Sequence, residues 1–139
     1  MSNYWILKTE PSTYSFDHLV KEKRGVWDGV ANPVALKNMR AMALGDPVLI
    51  YHTGDEKAVI GLAKVVRTAY PDPKLNNEKM VVVDLEAGKR LPRPVTLAAI
   101  KADPAFADLA LVRQGRLSVV PVPAKLWARI LGMAENTAP

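Results

Sequence analysis

The most constraining feature of the sequence is a strand–turn–strand pattern near its centre. Residues 47–53 are rich in branched and aromatic side chains, and residues 59–70 form a longer run of the same kind. Between them lie Gly54, Asp55, Glu56 and Lys57, a combination typical of a turn. Two such runs joined by a short turn predict an antiparallel hairpin. We therefore expect a sheet with local antiparallel pairing at the centre of the fold.

Shorter extended segments and short helices flank this hairpin. The other extended segments are residues 4–8, 26–30, 80–85, 92–95 and 117–122. Helices are predicted after the capping residues Ser15, Asn32 and Thr96, and a last helix after Pro123. Strands outnumber helices, and no βαβ alternation is repeated. The pattern therefore predicts an α+β fold, a mixed and mostly antiparallel β-barrel with short helices packed around it.

The length and composition indicate one domain over residues 1–139, with the last few residues flexible. A chain of 139 residues, 49% of them hydrophobic, can bury a core of its own. It has no cysteine and two histidines, His18 and His52, so we expect no metal site, and we predict no cofactor. The N-terminus lacks a signal-peptide pattern and no apolar run is long enough to cross a membrane. We expect a soluble, cytoplasmic protein with no membrane partner.

The charge balance favours a polyanionic partner. Lysine and arginine total 19 against 14 acidic residues, which gives a formal net charge of +5. A basic domain attracts nucleic acid, although the basic residues here are scattered and a mildly basic surface alone is weak evidence. DNA or RNA is therefore the expected class of partner.

Trp27 is the aromatic residue with the strongest functional interest. It lies between Gly25 and the pair Asp28-Gly29, in a short segment of small and polar residues. A flat ring in such a place could stack on a nucleobase, or it could simply fill the barrel. Trp127, in contrast, lies on the apolar face of the last helix and is expected in the core.

A second polar segment lies just before the last strand. Arg113, Gln114, Gly115 and Arg116 could hydrogen-bond a base edge or a phosphate, or could form a solvated turn. No glycine-rich phosphate loop and no nucleophile elbow is present in the sequence. An enzyme would therefore have to be assembled from scattered side chains, and we predict no catalytic residues.

Several stretches occur together and cover nearly the whole chain. They are Tyr4–Ser12, Val26–Asn32, Arg40–Met42 with Gly45-Asp46, Tyr51-His52, Ala69–Pro73 and Leu111–Val119. In this order they resemble the EVE domain family, a branch of the PUA-like barrels. The resemblance implies a PUA-like barrel and kinship to the YTH modules, which hold a methylated adenine in an aromatic cage. It also implies that the chain recognises a modified base in DNA or RNA.

The resemblance also implies roles for individual residues. Trp27 would be one wall of the cage, and the end of the first strand would supply its floor. Other polar side chains would contact the base edge or close the opposite side. The ligand-binding residues predicted in this way are Lys8, Thr9, Glu10, Trp27, Asp28, Asn32, Tyr51, His52, Arg113, Gln114, Arg116 and Ser118.

The sequence departs from the family pattern directly after Asp28-Gly29-Val30. Many relatives continue with Arg-Asn-Tyr-Gln-Ala-Arg, whereas here residues 31–36 read Ala-Asn-Pro-Val-Ala-Leu. The departure implies a more apolar rim with fewer phosphate contacts. Asn32-Pro33 still begins a helix well.

Two other functions remain open at this point. The related ASCH group includes small amidohydrolases that act on modified nucleosides through lysine, threonine and glutamate, the types present at Lys8, Thr9 and Glu10. On a regular strand, however, Lys8 and Glu10 share one face and Thr9 points to the other. A protein-interaction domain with a closed pocket is the remaining alternative. A restriction-like role would need an effector protein encoded separately.

Overall fold

The computed structural model describes residues 3–135, which form one sheet surrounded by helices. The strands are β1 (Tyr4–Thr9), β2 (Arg24–Trp27), β3 (Pro47–His52), β4 (Ala58–Pro71), β5 (Val81–Thr96) and β6 (Val119–Val122). The helices are α1 (Phe16–Glu22), α2 (Pro33–Ala41), α3 (Leu97–Ala102), α4 (Ala110–Arg113) and α5 (Ala124–Glu135), with a 3-10 turn at Pro104–Phe106. The flexibility predicted for the last few residues concerns positions 136–139, which lie outside the described residues.

The six strands follow the order β2-β5-β4-β3-β1-β6. The β3–β4 hairpin is antiparallel, as the central sequence pattern predicted. Only the β1–β3 pair of this sheet is parallel, and its register places Lys8 beside Tyr51 and Thr9 beside His52. The prediction of a mixed, mostly antiparallel α+β fold is therefore confirmed.

The prediction of a closed barrel was wrong. Within residues 3–135, β2 and β6 are the two ends of the sheet and do not pair with each other. Helix α2 packs against both β5 and β6. Its residue Asn38 donates a side-chain hydrogen bond to the carbonyl of Val119 in β6 at 2.8 Å. A helix, rather than the strand that would close a barrel, therefore meets β6 at this point.

Local capping signals were predicted well. Ser15 accepts a hydrogen bond from the His18 amide at 3.1 Å, and Asn32 accepts two, from Val34 and Ala35. Thr96 accepts one from Ala99 at 3.1 Å. Such caps depend on residues within one turn, so the sequence alone predicts them. None of the helices in residues 3–135 is long and apolar enough to cross a membrane.

Asp46 is a charged residue inside the core, only 2% exposed. Its Oδ2 atom accepts hydrogen bonds from the Trp5 indole at 2.9 Å and from the Ala43 amide at 2.9 Å. Hydrogen bonds to a buried carboxylate are strong. Asp46 therefore holds the turn that precedes β3 against strand β1.

We expect Asp46→Ala to lower the free energy of unfolding by about 2–4 kcal/mol, because the buried Trp5 indole would lose its acceptor. Urea unfolding monitored by circular dichroism measures this. The matched control is Asp55→Ala in the exposed β3–β4 turn, which should change stability by less than about 0.5 kcal/mol. Equal stability of the two variants would contradict the role given to Asp46.

Candidate functional site

A cleft of about 370 Å³ opens where β1 and β2 end. We call it the Trp27 cleft. Its volume lies in the range of small-molecule sites. The residues that line it are Lys8, Thr9, Thr13, Tyr14, Val26, Trp27, Asp28, Gly29, Val30 and Ser118.

Trp27 both fills the core and lines the cleft. It is the last residue of β2, is paired with Val83 of β5, and is 6% exposed. Gly29, two residues further along, has a φ of 78° and turns the chain towards α2. The two interpretations of Trp27, a core residue and a cleft wall, are therefore compatible in this fold.

Tyr14 is the second aromatic residue of the cleft. Its ring meets Trp27 edge to face, with the ring centroids 5.9 Å apart and an interplanar angle of 84°. Its hydroxyl donates to Glu22 at 2.6 Å, and burial together with this carboxylate raises the pKa of Tyr14. A Cβ atom at Gly25 would lie 2.6 Å from the same hydroxyl. Gly25, two residues before Trp27, therefore makes room for the Tyr14 hydroxyl.

The end of β1 supplies the polar floor. Lys8 is half-buried, and its ammonium group donates to the carbonyl of Gly115 at 2.8 Å. Burial lowers the pKa of Lys8. The Thr9 hydroxyl donates to the carbonyl of Tyr14 at 2.6 Å, and the Lys8 amide donates to the carbonyl of Ser118 at 2.9 Å. These bonds hold β1, the Tyr14 loop and the segment before β6 around one space.

Asp28 brings a carboxylate to the cleft. Its side chain is about half exposed, and the nearest basic group is the ammonium of Lys74, 3.9 Å away. Because an exposed pair at this distance is weak, the carboxylate remains able to accept hydrogen bonds from a ligand. Asp28 and Lys8 thus provide an acceptor and a donor in the same cleft.

Glu10 and His52, which the sequence placed in the pocket, lie outside the cleft. Strand β1 ends at Thr9, and Glu10 begins a turn in which it accepts hydrogen bonds from the amide and hydroxyl of Ser12. His52 is buried. Its Nε2 accepts from the Phe16 amide at 2.9 Å, and its Nδ1 lies 2.8 Å from Glu56. Lys8 and Thr9 share the cleft without the glutamate that an amidohydrolase arrangement would need.

The other predicted residues occupy neighbouring surfaces. Asn32, Gln114 and Arg116 line a separate hollow beside Gly115, where Asn32 caps α2. Arg113 forms an exposed ion pair with Asp108 at 2.9 Å. Tyr51 lines a different cavity, which shares Lys8 with the Trp27 cleft.

Tyr14, Thr13, Val26 and Val30 were missed by the sequence reasoning. Tyr14 lies in a polar loop without periodicity, so nothing local marks it as a partner of Trp27. The available signal was Gly25, because a glycine within a strand suggests the close approach of another group.

The fold and cleft define a small α+β domain whose aromatic cleft lies beside the ends of two strands. The same class of fold is seen in an ASCH protein from Zymomonas mobilis, with a TM-score of 0.59, 14% identity and 94% of each chain covered. At that identity the likeness concerns the fold alone.

The chain belongs to the EVE domain family, whose family model matches residues 3–133. This confirms the resemblance noted in the sequence. A Rhodopseudomonas palustris protein solved by NMR is 42% identical, with a TM-score of 0.91 over 99% of this chain and 96% of that one.

Human proteins are also similar to this chain. Human thymocyte nuclear protein 1 is 27% identical over 98% of this chain and 76% of that protein. The structure of human THYN1 protein in complex with 5-methylcytosine-containing DNA has a TM-score of 0.90 and 27% identity, covering 99% of this chain and 100% of that one.

Proposed function

We propose that the Trp27 cleft binds a single nucleobase of DNA or RNA, and that the base is a modified one. The observation that carries this proposal is the convergence of Trp27 and Tyr14 with Lys8 and Asp28 around a cleft of about 370 Å³. The complex of human THYN1 protein with 5-methylcytosine-containing DNA supports it, because the two folds superpose over nearly the whole chain.

The chemistry of the cleft suits a cytosine ring. The Asp28 carboxylate can accept from the exocyclic amine of cytosine, a pairing that proteins use for this base. The Lys8 ammonium can donate to the ring carbonyl with the protons that Gly115 does not take. Val26, which is 49% exposed, and Val30 offer apolar surface for a methyl group. The pocket therefore combines stacking, polar recognition and a place for a methyl substituent.

The energetics favour a base that is already unpaired. Extruding a base from a duplex costs a few kcal/mol, whereas stacking on an aromatic side chain contributes about 1–3 kcal/mol. The net charge of +5 adds backbone attraction that weakens as salt rises. We expect tighter binding to single-stranded or mismatched sites than to a matched duplex of the same sequence.

Removing the Asp28 carboxylate should weaken base recognition. For Asp28→Ala we expect the affinity for a single-stranded oligonucleotide with one 5-methylcytosine to fall by about 5- to 150-fold, since a good base-edge contact contributes about 1–3 kcal/mol. Fluorescence anisotropy of a labelled oligonucleotide at fixed salt measures this, with the unmodified oligonucleotide and the RNA version as comparison ligands.

Glu135→Ala is the matched control, because it removes one exposed carboxylate from the end of α5, away from the residues that line the Trp27 cleft. Both variants change the net charge by the same amount, so a larger loss of affinity in Asp28→Ala reports the contact made by Asp28. If the two variants bound the oligonucleotide with equal affinity, the proposed role of Asp28 would be wrong.

A further inference from the structure

A second cavity, of about 220 Å³, shares Lys8 with the Trp27 cleft. Lys8, Lys57 and Lys101 line it together with Tyr51 and Gly115. We call it the lysine pocket. Its volume is below the range usual for drug-sized ligands, and suits an ion-sized group with a few waters of about 30 Å³ each.

The lysine pocket is positively charged. None of the described residues that line it is acidic. Among residues 3–135, none of its three lysines takes part in an ion pair. Three carboxylates lie close by without lining the pocket: Glu10, which accepts from Ser12, Glu56, which lies against His52, and Asp55, which follows the lining residue Gly54. Three lysine side chains that line one small space attract an anion and repel a cation.

The positions of two of the lysines are restricted, Lys8 by a hydrogen bond and Lys57 by its backbone conformation. Lys8 is half-buried, with its ammonium fixed on the carbonyl of Gly115 and 5.7 Å from the centre of the Tyr51 ring. Lys57 has a φ of 44°, a left-handed conformation that glycine adopts at lower cost. Lys23 at the end of α1 also has a positive φ, of 69°, so the anion site is inferred from the three lysines that line one space and not from the backbone of Lys57.

The geometry points to a phosphate site. We infer that the lysine pocket binds a phosphate group and that, given the proposed function, this is the strand phosphate next to the base held in the Trp27 cleft. Lys8 lines both cavities, so a strand whose base enters one cavity brings its backbone to the other.

The inference is tested with two variants and one control. Lys57→Gly removes the ammonium group and suits the left-handed turn, so its thermal midpoint should be unchanged or raised. Lys101→Gln removes the second exposed charge, and Lys89→Gln, exposed on β5 and outside both cavities, is the control. The ligands are 5-methyl-2′-deoxycytidine, an oligonucleotide that contains it, and inorganic phosphate.

We expect each lysine variant to bind the oligonucleotide about fivefold more weakly than Lys89→Gln, and to lower the slope of log K against log salt by about 0.7. Nucleoside binding should stay within twofold of the wild type. Inorganic phosphate should shift the amide NMR signals of Lys57, Lys101 and Gly115 in the wild-type protein, and less in the variants.

The outcomes separate this inference from the proposed function. If wild-type protein binds no nucleoside while phosphate still shifts those three signals, the base-binding proposal fails and the anion site stands. Phosphate shifts without any loss of oligonucleotide affinity would assign the pocket to free phosphate and overturn the strand contact. No phosphate shifts, with oligonucleotide binding equal to that of Lys89→Gln, would overturn the inference entirely.

Discussion

Gly61→Ala is expected to lower the free energy of unfolding by about 3 kcal/mol, at the upper end of the usual effect of overpacking. A Cβ atom at Gly61 would overlap the ring of Phe16, which is 1% exposed and has no space to move into. The thermal midpoint should fall by about 10 °C. Thermal unfolding monitored by circular dichroism measures this effect.

The same change should also weaken ligand binding. Phe16 begins α1 directly after the Tyr14 loop, and its amide donates to the buried His52. Displacing the Phe16 ring would therefore disturb the loop that carries one wall of the Trp27 cleft. The double variant Gly61→Ala/Phe16→Leu should recover part of both the stability and the binding.

Gly132→Ala in α5 is the matched control. A Cβ atom at Gly132 would meet nothing within 4 Å, and the residue lies in a helix. The same substitution should therefore stabilise the protein by up to about 1 kcal/mol, because alanine favours helix more than glycine does. A Gly61→Ala variant as stable as the wild type would contradict the close packing of Phe16 against β4.

Trp27→Ala should cause a large loss of both binding and stability. Without the indole ring, affinity for an oligonucleotide with one modified base should fall by about 5- to 150-fold, the equivalent of about 1–3 kcal/mol of stacking. Because Trp27 is 6% exposed, the free energy of unfolding should also fall, by about 3–5 kcal/mol. Calorimetric titration at a temperature where the variant stays folded measures the affinity.

Trp127→Ala separates binding from stability. Trp127 is 7% exposed, packs on Tyr4 with ring centroids 4.9 Å apart, and does not line the Trp27 cleft. It should lose about as much stability as Trp27→Ala but retain the affinity of the wild type. Equal losses of affinity in the two variants would show that the effect at Trp27 comes only from loosened packing.

The parts of the fold that were predicted depend on neighbours in sequence. The β3–β4 hairpin and the caps Ser15, Asn32 and Thr96 each need only a few consecutive residues. The parallel pairing of β1 with β3 and the contact of Asn38 with Val119 join distant segments. The pattern of residues along the chain does not show which distant segments pair. The sequence therefore could not show that the sheet ends at β2 and β6 instead of forming a barrel.

The full extent of β5 was also not predicted from the sequence. Residues 92–95 were predicted as a separate extended segment because Pro92 and Pro94 interrupt the pattern. In the structure they belong to β5, which runs Val81–Thr96 and pairs with β2 only over residues 83–86. Beyond that pairing one side of β5 is an edge, where proline removes no hydrogen bond of the sheet.

The candidate site was predicted in part for the same reason. Lys8 and Thr9 reach the same cleft because β1 ends at Thr9, a boundary that strict alternation along a strand does not locate. Glu10 turns away at that boundary. The role of Tyr14 in the cleft can be recognised only from the fold, which places its ring against Trp27.

The measurement that tests the central claim most directly is an NMR titration of the wild-type protein with modified and unmodified nucleosides, following the three indole N–H signals. The chain has three tryptophans, and only Trp27 lines the proposed base cleft. The account predicts that a modified nucleoside shifts the Trp27 signal, while those of Trp127 and of Trp5, which is bonded to Asp46, stay in place. A Trp27 signal unchanged at millimolar concentrations of every nucleoside, or a shift at Trp5 alone, would contradict it.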